Sequence, residues 1–153
     1  AAKKELTEEN AAEKDEGHQS VYKTVQGMNV SQKIKFALTG NKAVRDLLVK
    51  DSNKVVCSAV LKNPRITEDE VMKVVSSKST SDDILRQVAR HKEWVKNYNV
   101  KLNLITNPKA PLTVSLKMLD HLHEKDLVSL SKSKNISSVL ATAAKRKVEM
   151  KKK

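Results

Sequence analysis

The tightest constraint on this chain is a short phrase that it uses twice. Val60-Leu61-Lys62-Asn63-Pro64-Arg65 returns as Leu104-Ile105-Thr106-Asn107-Pro108-Lys109. Downstream, the stretch from Glu70 to Ala89 aligns with that from Asp126 to Ala144 across one gap, Val71 answering Leu127 and Val74 answering Leu130. In each copy an apolar run stops at Asn-Pro, because the residue before proline disfavours helical geometry. A second run follows, then a Ser/Lys-rich turn, then a third run. Apolar residues spaced three and four apart mark these runs as amphipathic helices. Short helices of this kind are marginal alone and must cover one another's apolar faces, so the sequence predicts stacked helical layers. The copies are unequal, roughly 55–94 and 100–144. The second carries extra helix around Leu112, Leu116, Leu119 and Leu122, with Pro111 suited to its start.

Start and stop signals divide the rest of the chain. Asn29 with Gln32 has the form of a capping box, Gly40 suits a C-terminal cap, and Asn41 can open the next helix. Asp51 or Ser52 is the expected cap of a third helix through Val55, Val56, Ala59 and Val60. Thr67 with Glu70, and the Thr80-Ser81-Asp82-Asp83 stretch, announce two more. Residues 29–50 then read as a capping pair of helices. Only three Gly, three Pro and four aromatics (Tyr22, Phe36, Trp94, Tyr98) are present, too few for the turns and ring packing of a strand-rich fold. The expected class is therefore all-α: a short irregular α-solenoid of about 8–9 short helices. Residues 1–28 are predicted to be a charged flexible linker in which 21–25 docks on the domain. Residues 29–150 form the helical repeat domain and 151–153 a basic tail. The chain opens without Met, which suggests a processed chain or the C-terminal part of a longer one.

The unit that runs apolar-x-x-Ala-Val-Leu-Lys-Asn-Pro, residues Ala59 to Pro64, and continues through Thr67, Glu70, Val71, Met72, Val74 and Val75 resembles leucine-rich-repeat-variant units and, more loosely, HEAT-like repeats. The resemblance covers about residues 41–144 and implies a binding scaffold without naming its ligand. One variant of that family holds a cysteine-ligated iron–sulfur cluster; with Cys57 as the sole cysteine, that property does not carry over.

Catalytic chemistry finds little to build on. The three glycines are isolated from one another, so no Gly-rich phosphate loop exists, and no cofactor motif is present. A lone cysteine in an apolar run excludes an internal disulfide framework and is expected to be a small buried hydrophobe. His121 and His123 lie two residues apart, which on a helix points them away from each other, whereas a helical metal pair wants a spacing of four. The serines at Ser76, Ser77, Ser79 and Ser81, and at Ser129, Ser131 and Ser133, would need a nearby base and an orienting acid to act as nucleophiles, and they suit caps and turns instead. No metal, no cofactor and no enzymatic activity is expected. No apolar stretch approaches the ~20 residues that span a bilayer. No secretion signal is evident, so a cytoplasmic, non-membrane location is expected.

Charge is the informative remainder. The formal net charge is +12, yet residues 1–20 carry −3, so the rest of the chain carries +15. Cations recur at matching places in the two copies: Arg65 and Lys109 after the Asn-Pro turns, Lys78 and Lys134 in the Ser-rich turns, Arg90 and Lys145 at expected helix ends. With Lys62 and Arg86 they form an expected basic ridge. Three readings stand: a solvated face that complements helix dipoles, an acidic protein or peptide partner, or sequence-independent nucleic-acid binding. The acidic partner is favoured over nucleic acid. The aromatics available for base stacking are Trp94 and Tyr98, which also suit the junction between the copies.

Overall fold

The computed structural model describes residues 19–151. Among these there is no strand, and helices account for most of the chain. In order they are α1 (19–26), α2 (Val30–Thr39), α3 (Lys42–Leu48), α4 (Lys54–Leu61), α5 (Glu68–Ser76), α6 (Asp82–Arg90), α7 (Lys92–Val95), α8 (Tyr98–Thr106), α9 (Leu112–Met118), a 3₁₀ turn (Leu119–His121), α10 (Glu124–Lys132) and α11 (Ser138–Lys151). The all-α class stands, with more and shorter pieces than the eight or nine expected. The linker expected over 1–28 is helical over 19–26, where Val25 is buried in a core that Val21 and Met28 flank. The remainder of that linker, 1–18, and the end of the basic tail, 152–153, lie outside the described residues, while Lys151 closes α11.

Local sequence explains most helix ends. Asn29 and Gln32 exchange both bonds of the capping box, at 2.9 and 3.0 Å. Asn41, Thr67 and Ser81 each accept from the backbone N–H three residues on. The third cap falls later than expected, on Asn53, whose Oδ1 accepts from Val55 at 2.9 Å. Asp51 is otherwise engaged: its carboxylate takes Lys33 Nζ at 3.0 Å and the Asn53 N–H at 2.8 Å. Thr80 also leaves capping to Ser81 and donates its hydroxyl to Val74 O at 2.7 Å. Gly40 does end α2, but its φ of −69° is open to any residue. Glycine is required for space, because a Cβ there would run into the Val44 side chain and the Phe36 carbonyl oxygen.

The chain divides between Ile66 and Thr67 into two compact units. Unit 1 packs α1 to α4 around Val25, Ala37, Val44, Leu48, Val56 and Val60. Within it, the ion pair of Lys33 on α2 with Asp51 just ahead of α4, and the bonds of Asn63 just after α4 to the C-terminal end of α2, set α2 and α4 side by side in the same direction. Unit 2 contains α5 to α11. Three bonds order α5 and α8 likewise: Asn97 to Glu68 at their starts, Asn103 to Met72 midway, Asn107 to Val75 at their ends. Farther along unit 2, Ile105, Leu119, Leu122, Leu127, Leu130 and Leu140 close a second apolar cluster between α8 and α11. Full burial of a Leu or Ile is worth roughly 1.5–3 kcal/mol, which is what holds helices of seven to nine residues that water alone would fray.

Candidate functional site

The residue that shapes the surface of each unit is the asparagine before proline. Asn63 is only 2% exposed. Its amide donates to Ala37 O at 2.9 Å and Gly40 O at 3.0 Å, and its Oδ1 accepts the Arg65 N–H at 2.9 Å. In unit 2, Asn107 is 7% exposed, donates to Val75 O at 2.8 Å and Ser77 O at 3.0 Å, and accepts from the Lys109 N–H at 3.0 Å. Each asparagine thus saturates carbonyls left open at a helix C-terminus and pins its own turn against the turn leaving that helix. Every buried donor and acceptor of the side chain is used, the condition under which a buried amide rigidifies rather than destabilises.

The pinned turns carry cations. In unit 1, exposed Arg65 lies in the turn that Asn63 ties to the α2–α3 corner, where exposed Lys42 opens α3. Lys62, at the end of α4, is exposed beside it. In unit 2, Asn107 brings the turn holding Lys109 against the turn holding Lys78, and both lysines are exposed. A third turn joins them: Asn107, Pro108 and Ala110 share the walls of a hollow of about 120 Å³ with Ile136 and Ser137, two positions beyond exposed Lys134. The segments 77–81, 107–111 and 133–137 contain lysine and no acid. Asp82 and Asp83 follow the first directly on α6, which makes it the least cationic of the three.

The remaining ridge residues lie on helices rather than in the pinned turns. Arg86 is half-buried and reaches Asp83 Oδ1 at 3.4 Å within its own helix. Arg90 is exposed on the last turn of α6. Lys145, expected at a helix end, lies inside α11, which runs on to Lys151. The clamping role of Asn63 and Asn107, the cation Lys42 and the hollow were not foreseen from sequence; two asparagines at the same step before proline were the available signal.

The aromatic candidates are engaged within unit 2. Trp94 is 9% exposed and stacks on His91 at 3.7 Å between ring centroids, while His91 Nδ1 accepts the Trp94 N–H at 3.4 Å. Half-buried Tyr98 stacks on His123 at 4.1 Å and donates its hydroxyl to Asp126; that hydroxyl accepts the His123 N–H at 3.1 Å. Desolvation, then the Asp126 hydrogen bond, raises the Tyr98 pKa. Cys57 is buried, donates to Asp51 O at 2.9 Å, and has its pKa raised by burial and then by the charge of Asp51. A thiol held protonated in this way is a poor nucleophile. Among the described residues no group of three or more His, Cys, Asp or Glu is placed to hold a metal, and no helix is long and apolar enough to cross a membrane. No protein-family model, curated protein or solved structure matches the chain.

Proposed function

We propose that this chain is a non-enzymatic helical-repeat interaction module, a short α-solenoid of the HEAT-like or leucine-rich-repeat-variant kind, that binds an acidic protein segment in the cytoplasm through its basic turns. The observation that carries this reading is the asparagine clamp. It fixes the backbone of turns whose charged residues are exposed lysines and arginine, so the cationic surface is ordered before a partner arrives. Preorganisation of that kind lowers the entropic cost of binding, and the excess positive charge speeds encounter with an anionic partner.

An acidic protein is favoured over nucleic acid because sequence-independent strand binding leans on exposed rings for stacking. Trp94 and Tyr98 are taken up by His91, His123 and Asp126. Tyr22, exposed on α1, is a single ring and offers no platform for successive bases.

The test is fluorescence anisotropy with a labelled glutamate-rich peptide and, in parallel, a labelled duplex and single strand, at two salt concentrations. The peptide is expected to bind, and charge reversal of Lys78 and Lys109 together to weaken it about tenfold or more. An unchanged affinity in that variant overturns the role of the turns. Tighter binding of the nucleic acids, falling linearly in log salt, replaces the partner class.

A further inference from the structure

We infer that the hollow in unit 2 seats one aliphatic side chain of the acidic segment; the inference rests on the proposed function and assigns its partner's sequence chemistry. The hollow lies between the Asn107 turn and the starts of α9 and α11, and its walls include Ile105, Pro108, Ala110, Leu112, Ile136 and Leu140. These are apolar faces from three helices and two turns that converge without filling the space between them. Leu112, on the rim, is left 37% exposed.

Size decides what fits. The hollow measures about 120 Å³. Cofactor and drug-sized sites run to roughly 300–1,000 Å³, so a small-molecule ligand of that class is excluded. An apolar cavity that takes up benzene measures about 150 Å³, so the smaller space here favours a side chain more compact than a ring. A leucine, isoleucine or valine side chain matches.

Charge decides what the side chain is attached to. Lys109 sits between the wall residues Pro108 and Ala110, and Lys134 lies two positions before Ile136. Both lysines are exposed, and neither forms an ion pair among the described residues. A segment that lowers an aliphatic side chain into the hollow therefore passes near both lysines, and acidic flanks complement them. Two of the polar wall groups are already engaged. The Asn107 amide is satisfied by Val75 and Ser77, and the Ser137 hydroxyl accepts the Val139 N–H at 3.2 Å. The arrangement is an anchor pocket with a cationic rim, the division of labour seen in interface hot spots.

The experiment uses the whole chain and three labelled probes at low salt: a short peptide with one central leucine flanked by glutamates, and its counterparts with alanine or phenylalanine at the centre. The leucine peptide is expected to bind about tenfold tighter than the alanine peptide, and the phenylalanine peptide no tighter than alanine. Ala110→Leu, which fills the hollow from its wall, should bring the leucine peptide down to the alanine level and leave the alanine peptide unchanged. Circular dichroism checks that this variant folds; the peptide comparison on the unaltered protein stands without it. Equal binding of leucine and alanine peptides overturns the anchor while leaving the charge reading intact. A phenylalanine peptide that binds tightest overturns the aliphatic assignment. Absence of binding by all three at low salt overturns both this inference and the proposed function.

Discussion

Asn63 in unit 1 and Asn107 in unit 2 occupy the same step of the same phrase and make the same three hydrogen bonds, yet the carbonyls that they clamp are held differently. Gly40 O, the farther acceptor of Asn63, also receives the Arg45 guanidinium at 3.1 Å. Its equivalent, Ser77 O, receives the backbone N–H of Thr80 at 3.4 Å as its second donor. Unit 1 therefore stabilises the corner with a buried cation and a close helix contact that admits only glycine. Unit 2 does it with an open serine turn. One side-chain chemistry can serve two backbones, provided that each presents two carbonyls at the spacing of an amide group.

The largest expected effect comes from Asn63→Asp and Asn107→Asp, which keep shape while turning two donors into an acceptor that faces two carbonyl oxygens. Each should cost about 3–5 kcal/mol, the range for an uncompensated buried charge, with Asn63 at the upper end because it is more buried. Urea unfolding followed by circular dichroism reads both, and the fluorescence of Trp94, the sole tryptophan, reads unit 2. A cost below that of an exposed cap would break the equivalence of the clamps. Next comes Gly40→Ala, expected to cost about 1–3 kcal/mol through overpacking on Val44. Ser77→Ala, at the matching corner, should cost about 0.5 kcal/mol or less. Equal values for the pair would erase the contrast between a space-limited corner and an open one.

A smaller effect concerns Tyr98. Its folded pKa is raised, so the folded chain holds the phenolic proton more tightly than the unfolded chain does. That contribution is complete below the unfolded value near 10 and is lost as pH rises through the folded value. The alkaline loss should be shallower in Tyr98→Phe, as thermal melts across that pH range would show. Smallest is the exposed pair of Lys147 with Asp120, which draws the Asp120 pKa down. Its contribution is present above the ordinary carboxylate value and is lost as pH falls through the lower folded one. Lys147→Met should return the Asp120 titration, followed by NMR, to the ordinary range, with stability almost unmoved at moderate salt.

Much of the fold was legible because it is written in local chemistry. Asn29, Asn41, Thr67 and Ser81 cap their helices through bonds spanning three residues, and such bonds leave a pattern in sequence. The cap at Asn53 was missed because Asp51 resembles a better one, and only the fold shows that Lys33, 18 positions away, competes for its carboxylate. The clamps were read as turns and no more. Their partners are backbone carbonyls 26 and 32 positions distant, and a carbonyl is the same in every residue, so nothing in the sequence marks which ones an amide will find. The cations of the turns were visible, whereas their neighbourhoods were not: Asn107 ties the Lys109 turn to the Lys78 turn, and α11 runs on well past Lys145, which was expected at a helix end.

The proline after each clamp has a chemical consequence. An asparagine ages when the backbone nitrogen of the next residue attacks its side-chain amide, expels ammonia and leaves aspartate behind. Proline's ring nitrogen carries no hydrogen, so Asn63 and Asn107 are each followed by the residue least able to begin that attack. The amide that this fold can least exchange for a carboxylate is therefore shielded by its own neighbour from the commonest spontaneous route to one.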